Sequence, residues 1–297
     1  MKMIVVDMDG TLLDSNDSIQ PKTKKLLIEL QKKGIILVLA SGRNINKMIN
    51  FGKELMMDKY NGYYIQINGT IISDAKFTFK EVRGRLKQEE ARELFDALKT
   101  IDVEIQVVKD NSIYSYIPQR RVNDKLVFRK QHNIKDNVAY RAGAHNLSVK
   151  NNDGYLNTIY INDSSIIHNE SNKVCVSDTM EKTLAAYELI LNDFKDKYWV
   201  GLTTTNWLEI CNKNVYKGKA LQYLCDKINI DIKDVVAFGD GENDREMLMS
   251  VGIGVAMGNS LDTLKKYANI VTDTNNNEGI YKGLEKILKG DYYELFK

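Results

Sequence analysis

The sequence predicts an α/β fold built on a doubly wound parallel sheet, into which a smaller α+β domain is inserted. Three observations support this prediction. Short apolar runs alternate with amphipathic stretches at the start of the chain, the same alternation returns near its end, and a helix followed by a hairpin occurs twice in between. We therefore expect a discontinuous outer domain of residues 1–83 and 213–297, and an inserted domain of residues 84–212.

The first part of the chain has the signals of a β-α-β unit. Pro21 suits the first turn of a helix, Gly34 suits its end, and Asn68-Gly69 is a strong signal for a tight turn between antiparallel strands. From these signals we predict a helix at 21–33 and strands at 4–6, 35–40, 63–67 and 71–72.

The last part of the chain repeats the alternation of helix and strand. The run from Val235 to Phe238 is apolar at every position, which is typical of a central parallel strand covered by helices on both faces. Here we predict helices at 218–228, 243–251, 261–267 and 278–288, and strands at 235–239, 253–257 and 269–272.

The middle of the chain differs, because its alternating apolar runs are joined by short polar turns, as in antiparallel hairpins. Residues 120–152 are rich in Asn, Lys and Arg, and we expect them to form the irregular part of the inserted domain. We predict helices at 89–98 and 179–194 and strands at 103–108, 113–117, 173–176, 198–202 and 207–211.

The composition indicates a globular protein without a strongly charged partner. The 297 residues are 43% hydrophobic, and 42 basic against 40 acidic side chains leave a formal charge of only +2, so we expect no nucleic-acid or membrane partner. Three distant cysteines support neither a disulfide framework nor a zinc site. No segment has the pattern of a secretory signal or a membrane span. We expect a cytoplasmic monomer or small homo-oligomer.

The segment Asp7-Met8-Asp9-Gly10-Thr11 is the most informative for function, because two carboxylates one residue apart follow a predicted strand. Ligands of open α/β sheets bind at the carboxyl ends of strands, where Asp7 and Asp9 would leave the sheet toward the same side. Such a pair is also a common turn or helix-cap device. The segment alone leaves both interpretations open.

Three further polar clusters occupy comparable positions. Ser41-Gly42-Arg43 follows a strand, where its serine suits either a helix N-cap or a phosphate cradle. Lys217 begins a helix, although most lysines are only solvated surface side chains. The segment Gly239-Asp240-Gly241-Glu242-Asn243-Asp244 follows a central strand, and so dense a group of carboxylates favours a hard cation such as magnesium.

Together these clusters resemble the motif set of the haloacid dehalogenase superfamily, in particular its Cof-type branch of sugar-phosphatase-like proteins with a large α/β cap. The matching segments keep the family order and spacing: DMDGT at 7–11, LASGR at 39–43, KG at 217–218 and GDGENDREML at 239–248. The turn at 68–70 and the tail from Gly254 to Gly279 also look like that branch. The resemblance implies that the inserted domain is a cap over the site.

The resemblance implies a Mg²⁺-dependent phosphatase that hydrolyses small-molecule phosphomonoesters, such as sugar phosphates, flavin mononucleotide or pyridoxal phosphate. It implies that Asp7 is the nucleophile that forms an aspartyl phosphate, and that Asp9 is the general acid and base. The implied ligands of Mg²⁺ are the Asp7 carboxylate, the backbone carbonyl of Asp9 and the Asp240 carboxylate.

The resemblance also assigns the residues that bind the phosphate and support the site. The implied phosphate-binding groups are the side chains of Ser41, Lys217 and Asn243 and the backbone N–H groups of Met8 and Gly42. Asp244 would orient Lys217 or a metal-bound water, and Thr11 would support the loop.

Two alternatives remain open at the level of sequence. A phosphosugar mutase of the same family would pass the phosphoryl group between positions of a sugar, and a non-enzymatic phospho-acceptor or sensor would only hold phosphate. Specificity would lie in the inserted domain. The candidate residues for substrate recognition in this domain, which we expect to be surface side chains, are Arg120, Arg121, His132, Arg141 and His145.

Overall fold

The computed structural model describes residues 1–133, 157–194 and 196–290. The chain divides into two compact units, an outer unit of Met1–Arg83 with Tyr216–Lys297 and an inserted unit of Gly84–Val215. The predicted α/β fold with a parallel sheet is confirmed. None of the helices in this described part is long and apolar enough to cross a membrane.

The first part of the outer unit contains the predicted β-α-β beginning. Its elements are β1 (Met3–Asp7), α1 (Pro21–Lys32), β2 (Ile36–Ala40), α2 (Ile49–Glu54), β3 (Tyr63–Gln66), β4 (Ile71–Asp74) and β5 (Lys80–Val82). Strands β1, β2 and β3 are parallel, and β3 pairs antiparallel with β4 across the predicted turn. The short α2 and β5 were not predicted, because elements of three to six residues show no clear periodicity.

The inserted unit is an antiparallel sheet with helices. Its elements are α3 (Gln88–Thr100), β6 (Ile105–Val108), β7 (Ser112–Tyr116), α4 (Gln119–Gln131), β8 (Asn157–Tyr160), β9 (Lys173–Ser177), α5 (Met180–Asp193), β10 (Tyr198–Thr204) and β11 (Trp207–Asn212). The strand order is β10-β11-β9-β6-β7-β8, and only the β7–β8 pair among these is parallel. The helix-hairpin units predicted from the sequence are present.

The prediction of irregular structure is wrong for residues 120–131, which form most of α4. This helix buries Arg121, Lys125 and Arg129, so its buried face is basic and the apolar period that identifies a helix is missing. Residues 134–152 of the same prediction lie outside the described residues. The spacing of apolar residues therefore does not identify a helix whose buried face is made of charged side chains.

The expectation that the specificity candidates are surface side chains is wrong for Arg121, which is buried beside Glu104 with 3.7 Å between Nε and Oε2. Arg120 is half-buried and donates hydrogen bonds to Asp102 and Asp178. His132 is exposed, whereas Arg141 and His145 lie outside the described residues.

The last part of the outer unit completes the parallel sheet. Its elements are α6 (Lys217–Lys227), β12 (Val235–Gly239), α7 (Arg245–Ser250), β13 (Ile253–Ala256), α8 (Asp262–Lys265), β14 (Ile270–Val271) and α9 (Gly279–Lys289). The strand order of the eight-stranded sheet is β14-β13-β12-β1-β2-β3-β4-β5. Strand β1 therefore lies in the interior of the sheet, between β12 and β2, and is parallel to both.

Both faces of this sheet are buried by helices. Ile4 and Val6 of β1 pack in one apolar cluster with Leu27 of α1, whereas Met3 and Val5 pack in another with residues of α6 and α7. Alternate side chains of a strand point to opposite faces, so a strand covered on both faces must be apolar throughout. The buried apolar part of β1 therefore ends at Val6, and Asp7 is the last residue of the strand.

Candidate active site

The residues predicted to form the site lie at the carboxyl ends of three adjacent parallel strands of the outer unit. Asp7 is the last residue of β1, Ser41 follows β2, and Asp240 follows β12. Parallel strands present their carboxyl ends at one edge of a sheet, which is why residues this distant in sequence converge there. Lys217, the first residue of α6, joins them.

Lys217 is a buried cation held between two buried carboxylates. Its Nζ donates to Asp7 Oδ1 at 2.6 Å and to Asp244 Oδ1 at 2.7 Å, and all three side chains are almost fully inaccessible to solvent. Burial by itself lowers the pKa of Lys217, but the Asp244 and Asp7 carboxylates outweigh it and the pKa is raised. The lysine is therefore charged throughout the physiological pH range.

The three carboxylates of Asp7, Asp240 and Asp244 form one acidic cluster. An oxygen from each lies within 4.8 Å of the others. Burial and the Asp244 carboxylate raise the pKa of Asp7 well above its ordinary range, and the same two causes raise the pKa of Asp240 to about 7. One lysine cannot neutralise three carboxylates, and hard oxygen donors this close to one another fit a site for a divalent cation.

Asp244 differs from its two acidic neighbours, because it accepts hydrogen bonds from the buried ammonium and from two backbone N–H groups at once. Oδ1 accepts from Lys217, and Oδ2 accepts from the backbone N–H groups of Asp240 and Gly241 at 3.1 Å each. These contacts tie the loop after β12 to the start of α6. Asp244 thus positions the lysine and the loop together.

Asp240 is held by residues from two other loops. The Thr11 hydroxyl donates to Oδ1 at 2.7 Å, and the amide of Asn259 lies 3.5 Å from Oδ2 while it donates to the carbonyl of Gly10 at 2.8 Å. Gly10 has a φ of 75°, and a Cβ at this position would lie 2.3 Å from Asp240 Oδ2. Only glycine lets the backbone turn this close to the carboxylate.

Ser41, Gly42 and Arg43, which follow β2, line another side of the candidate site. Ser41 is buried, and its Oγ accepts a hydrogen bond from the backbone N–H of Arg43 at 3.1 Å. The guanidinium of Arg43 contacts both carboxylate oxygens of Asp9, with Nε 2.9 Å from Oδ2 and 3.1 Å from Oδ1. The Asp9 side chain is 59% exposed, so this pair lies at the open side of the outer unit's site.

Met8 and Asn243, which were also predicted to bind phosphate, contact neither Asp7 nor Lys217 through any side-chain hydrogen bond described above. The Met8 side chain is part of the apolar core, which leaves only its backbone for the site. Asn243 donates from Nδ2 to Asn68 Oδ1 at 3.2 Å. The structure thus brings Asp7, Lys217 and the acidic loop into direct contact, whereas Asp9 is paired with Arg43.

Arg43, Asn68 and Asn259 each contact a predicted site residue, although the sequence alone indicates no role for them. A signal was available for Asn259, because it lies in the loop that follows β13, three residues beyond the end of that strand. The same rule about the carboxyl ends of strands would have selected it.

Similarity to known proteins agrees with this geometry. Residues 4–284 match the family model of haloacid dehalogenase-like hydrolases. The chain is 27% identical over 300 residues to phosphatase YwpJ of Bacillus subtilis, covering 97% of this chain and 100% of that protein. It is 25% identical over 285 residues to 5-amino-6-(5-phospho-D-ribitylamino)uracil phosphatase YcsE of the same organism, covering 96% and 94%.

A solved structure has the same fold over nearly the whole chain. A haloacid dehalogenase-like hydrolase from Bacteroides thetaiotaomicron is 26% identical and superimposes with a TM-score of 0.74, covering 96% of this chain and 99% of that one. The family match extends over far more than half of the sequence. The family predicted from the four motifs is confirmed, and the chain belongs to the haloacid dehalogenase-like hydrolases.

Proposed function

We propose that the protein is a Mg²⁺-dependent phosphatase that hydrolyses small-molecule phosphomonoesters through an aspartyl phosphate on Asp7. The observation that carries this proposal is the buried contact of Asp7 with Lys217 beside Asp240 and Asp244. It combines a carboxylate nucleophile, a fixed cation for phosphate oxygens and acidic ligands for a metal ion. The substrate for which the relative YcsE is named is itself a phosphomonoester.

The acidic cluster supports a Mg²⁺ site. Its proposed ligands are the carboxylates of Asp7 and Asp240 and the backbone carbonyl of Asp9, and Thr11 and Asn259 hold the Asp240 carboxylate in place. When bound, the ion would reduce the repulsion between a phosphate and the surrounding carboxylates. Asp244 is not assigned as a ligand, because one of its oxygens accepts from the Lys217 ammonium and the other accepts from two backbone N–H groups.

In the first half-reaction, a carboxylate oxygen of Asp7 attacks phosphorus, and the bond between phosphorus and the ester oxygen breaks. Asp9 donates a proton to that oxygen, so the product leaves as a neutral alcohol. The three equatorial oxygens carry the developing charge and are met by fixed donors. We assign as these donors the Ser41 hydroxyl, the Lys217 ammonium, the Asn243 amide and the backbone N–H groups of Met8 and Gly42.

In the second half-reaction, Asp9 takes a proton from a water molecule as that water attacks the phosphorus of the aspartyl phosphate. The bond between phosphorus and the Asp7 oxygen breaks, which releases inorganic phosphate and restores the carboxylate. Arg43 contacts both oxygens of Asp9, so this ion pair must open at one oxygen before Asp9 exchanges a proton with the leaving group or the water.

The decisive experiment is a phosphate-release screen over a panel of metabolite phosphomonoesters. Asp7→Asn should abolish turnover, and Asp9→Asn should leave a phosphoenzyme that can be trapped. EDTA should abolish the phosphatase activity of the wild type. Asp262→Asn, at an exposed carboxylate on α8, is the matched control and should retain full activity. Full activity of Asp7→Asn, or turnover unaffected by EDTA, would rule out the mechanism.

The same experiment separates the alternatives. A phosphosugar mutase would consume its sugar phosphate without releasing free phosphate. A phospho-acceptor or sensor would give a long-lived phosphoenzyme in the wild type and no turnover.

A further inference from the structure

The segment Ile67-Asn68-Gly69, between β3 and β4, has an unusual backbone conformation. Its three residues have φ values of 49°, 52° and 102°. A left-handed conformation is tolerated by asparagine and glycine but is unfavourable for a β-branched residue such as Ile67. Such strain persists only where the surrounding structure enforces it, and it occurs often at functional sites.

Backbone hydrogen bonds tie this segment to the loop that carries Ser41. The N–H of Asn68 donates to the Ser41 carbonyl at 3.0 Å, and the N–H of Ile67 donates to the Arg43 carbonyl at 3.0 Å. The N–H of Ser41 in turn donates to the Ile65 carbonyl at 2.9 Å. The strained segment and the predicted phosphate cradle are therefore one hydrogen-bonded structure.

The segment also packs against the start of α6. A Cβ at Gly69 would lie 2.9 Å from the carbonyl oxygen of Tyr216, the residue that precedes Lys217. The side chain of Asn68 is 1% exposed, so it points into this packed region rather than to solvent. Its position is fixed from the Ser41 loop on one side and from α6 on the other.

The Asn68 side chain contacts Asn243, one of the predicted phosphate-binding residues. The side-chain amide of Asn243 can rotate by half a turn, which exchanges its oxygen and its nitrogen. An asparagine amide has a donor end and an acceptor end, and only the donor end attracts a phosphate. Asn243 Nδ2 donates to Asn68 Oδ1 at 3.2 Å, and Asn243 Oδ1 lies on the side of Gly241, 2.6 Å from where a Cβ would be. With Asn68 Oδ1 facing Asn243, a reversed Asn243 amide would place the two amide oxygens against each other.

We propose that Asn68 is a positioning residue that acts through Asn243. Its Oδ1 selects the orientation in which the Asn243 amide offers its second N–H to a phosphate oxygen, and the left-handed backbone directs the Asn68 side chain to Asn243. This inference rests on the proposed function, because it takes Asn243 to be a phosphate-binding group. It assigns a function to a residue that the sequence identified only as part of a turn.

The test is a double-mutant cycle between Asn68→Gly and Asn243→Ala. Glycine keeps the left-handed backbone and removes only the side chain. Asn61→Gly is the matched control, since Asn61 also has a left-handed φ of 56° and accepts a side-chain hydrogen bond from Lys76. The readouts are kcat and KM for p-nitrophenyl phosphate and the Kd of inorganic phosphate by calorimetry, all in Mg²⁺.

We expect Asn68→Gly to raise the Kd of phosphate and lower kcat/KM by about tenfold, the effect of one charge-assisted hydrogen bond. In the Asn243→Ala background it should have no further effect, because the amide it positions is gone. Asn61→Gly should match the wild type. Effects that multiply in the double variant, or wild-type kinetics of Asn68→Gly, would overturn the inference.

Two further outcomes are informative. Wild-type phosphate binding by Asn243→Ala would show that the proposed role of Asn243 is wrong, which is distinct from a failure of Asn68 to position it. If Asn68→Gly does not fold, the cycle is repeated with Asn68→Asp, which tolerates the backbone and keeps an acceptor. The effect of Asn243→Ala should then be as large as in the wild type, and its disappearance would overturn the inference.

Discussion

Replacement of Lys217 by methionine tests the charge balance of the site. Methionine keeps an unbranched apolar stem that ends one atom short of Nζ, and it removes the ammonium between Asp7 and Asp244. Both carboxylates are buried, so they lose their partner without gaining water. We expect Lys217→Met to be severely destabilised in EDTA.

The size of the effect follows from the burial of all three groups. Removal of one partner from a buried ion pair costs about 3–5 kcal/mol, which is a large part of the 5–15 kcal/mol that is typical of domain stability. A divalent cation bound to the acidic cluster would replace part of the lost positive charge. The difference in stability between variant and wild type should therefore be smaller in Mg²⁺ than in EDTA.

The destabilisation should also depend on pH. Burial and Asp244 raise the folded-state pKa of Asp7 above its unfolded value, and loss of Lys217 removes the main opposing influence. A carboxyl group with a raised folded-state pKa binds more protons folded than unfolded, so its contribution to stability falls as pH rises between the two pKa values. Lys217→Met should lose less stability at pH 5.5 than at pH 8.

The assay is urea unfolding followed by far-UV circular dichroism. Both tryptophans, Trp199 and Trp207, lie in the inserted unit, so their fluorescence shows separately whether that unit remains folded. Lys25→Met, at an exposed position of α1, is the control and should change stability by less than about 0.5 kcal/mol. An unfolding midpoint of Lys217→Met equal to that of the wild type in EDTA at pH 8 would refute this reasoning.

Three further predictions concern the loops around the site. Glu278 accepts hydrogen bonds from the N–H groups of Lys22 and Thr23 and from the Thr23 hydroxyl, each at 2.8 Å. Glu278→Ala should therefore lower the free energy of unfolding in urea by about 1–2 kcal/mol. Glu278→Gly should cost less, because φ is 57° there, and a larger cost would contradict this explanation. Gly10→Ala should displace Asp240 and weaken Mg²⁺ binding at least about tenfold by calorimetry, whereas unchanged affinity would refute the steric conflict. Since the pKa of Asp240 is raised to about 7, its protonation should weaken Mg²⁺ binding about tenfold from pH 8 to pH 6, and a pH-independent Kd would exclude this competition.

The sheet of the outer unit could be predicted because its central strands are covered on both faces. Continuous apolar runs located β1, β2 and β12 to within one residue. The rule that ligands bind at the carboxyl ends of such strands then selected Asp7 and Asp240. Their close approach in the structure follows from the strand order, which places β1 beside β12.

Features that depend on buried charge or on distant side-chain contacts could not be predicted in this way. Helix α4 lacks an apolar face, because the unit buries arginine and lysine along it. The pairing of Arg43 with Asp9 and the contact of Asn243 with Asn68 join residues 34 and 175 positions apart. No local pattern encodes such pairs, since they are set by the three-dimensional arrangement of several loops.

The central position of β1 has a consequence for synthesis on the ribosome. Its neighbour β2 follows at once, but Met3 also pairs with Val235, so β12 is made only after the whole inserted unit. At about 5–20 residues per second, β1 lacks this partner for roughly 10–50 s, and the backbone N–H and C=O groups along one of its edges stay unpaired. The inserted unit is one continuous segment of the chain, so all of it has been synthesised by then. A nascent chain therefore carries Asp7 on an incomplete, aggregation-prone sheet until the segment with Lys217 and Asp240 arrives.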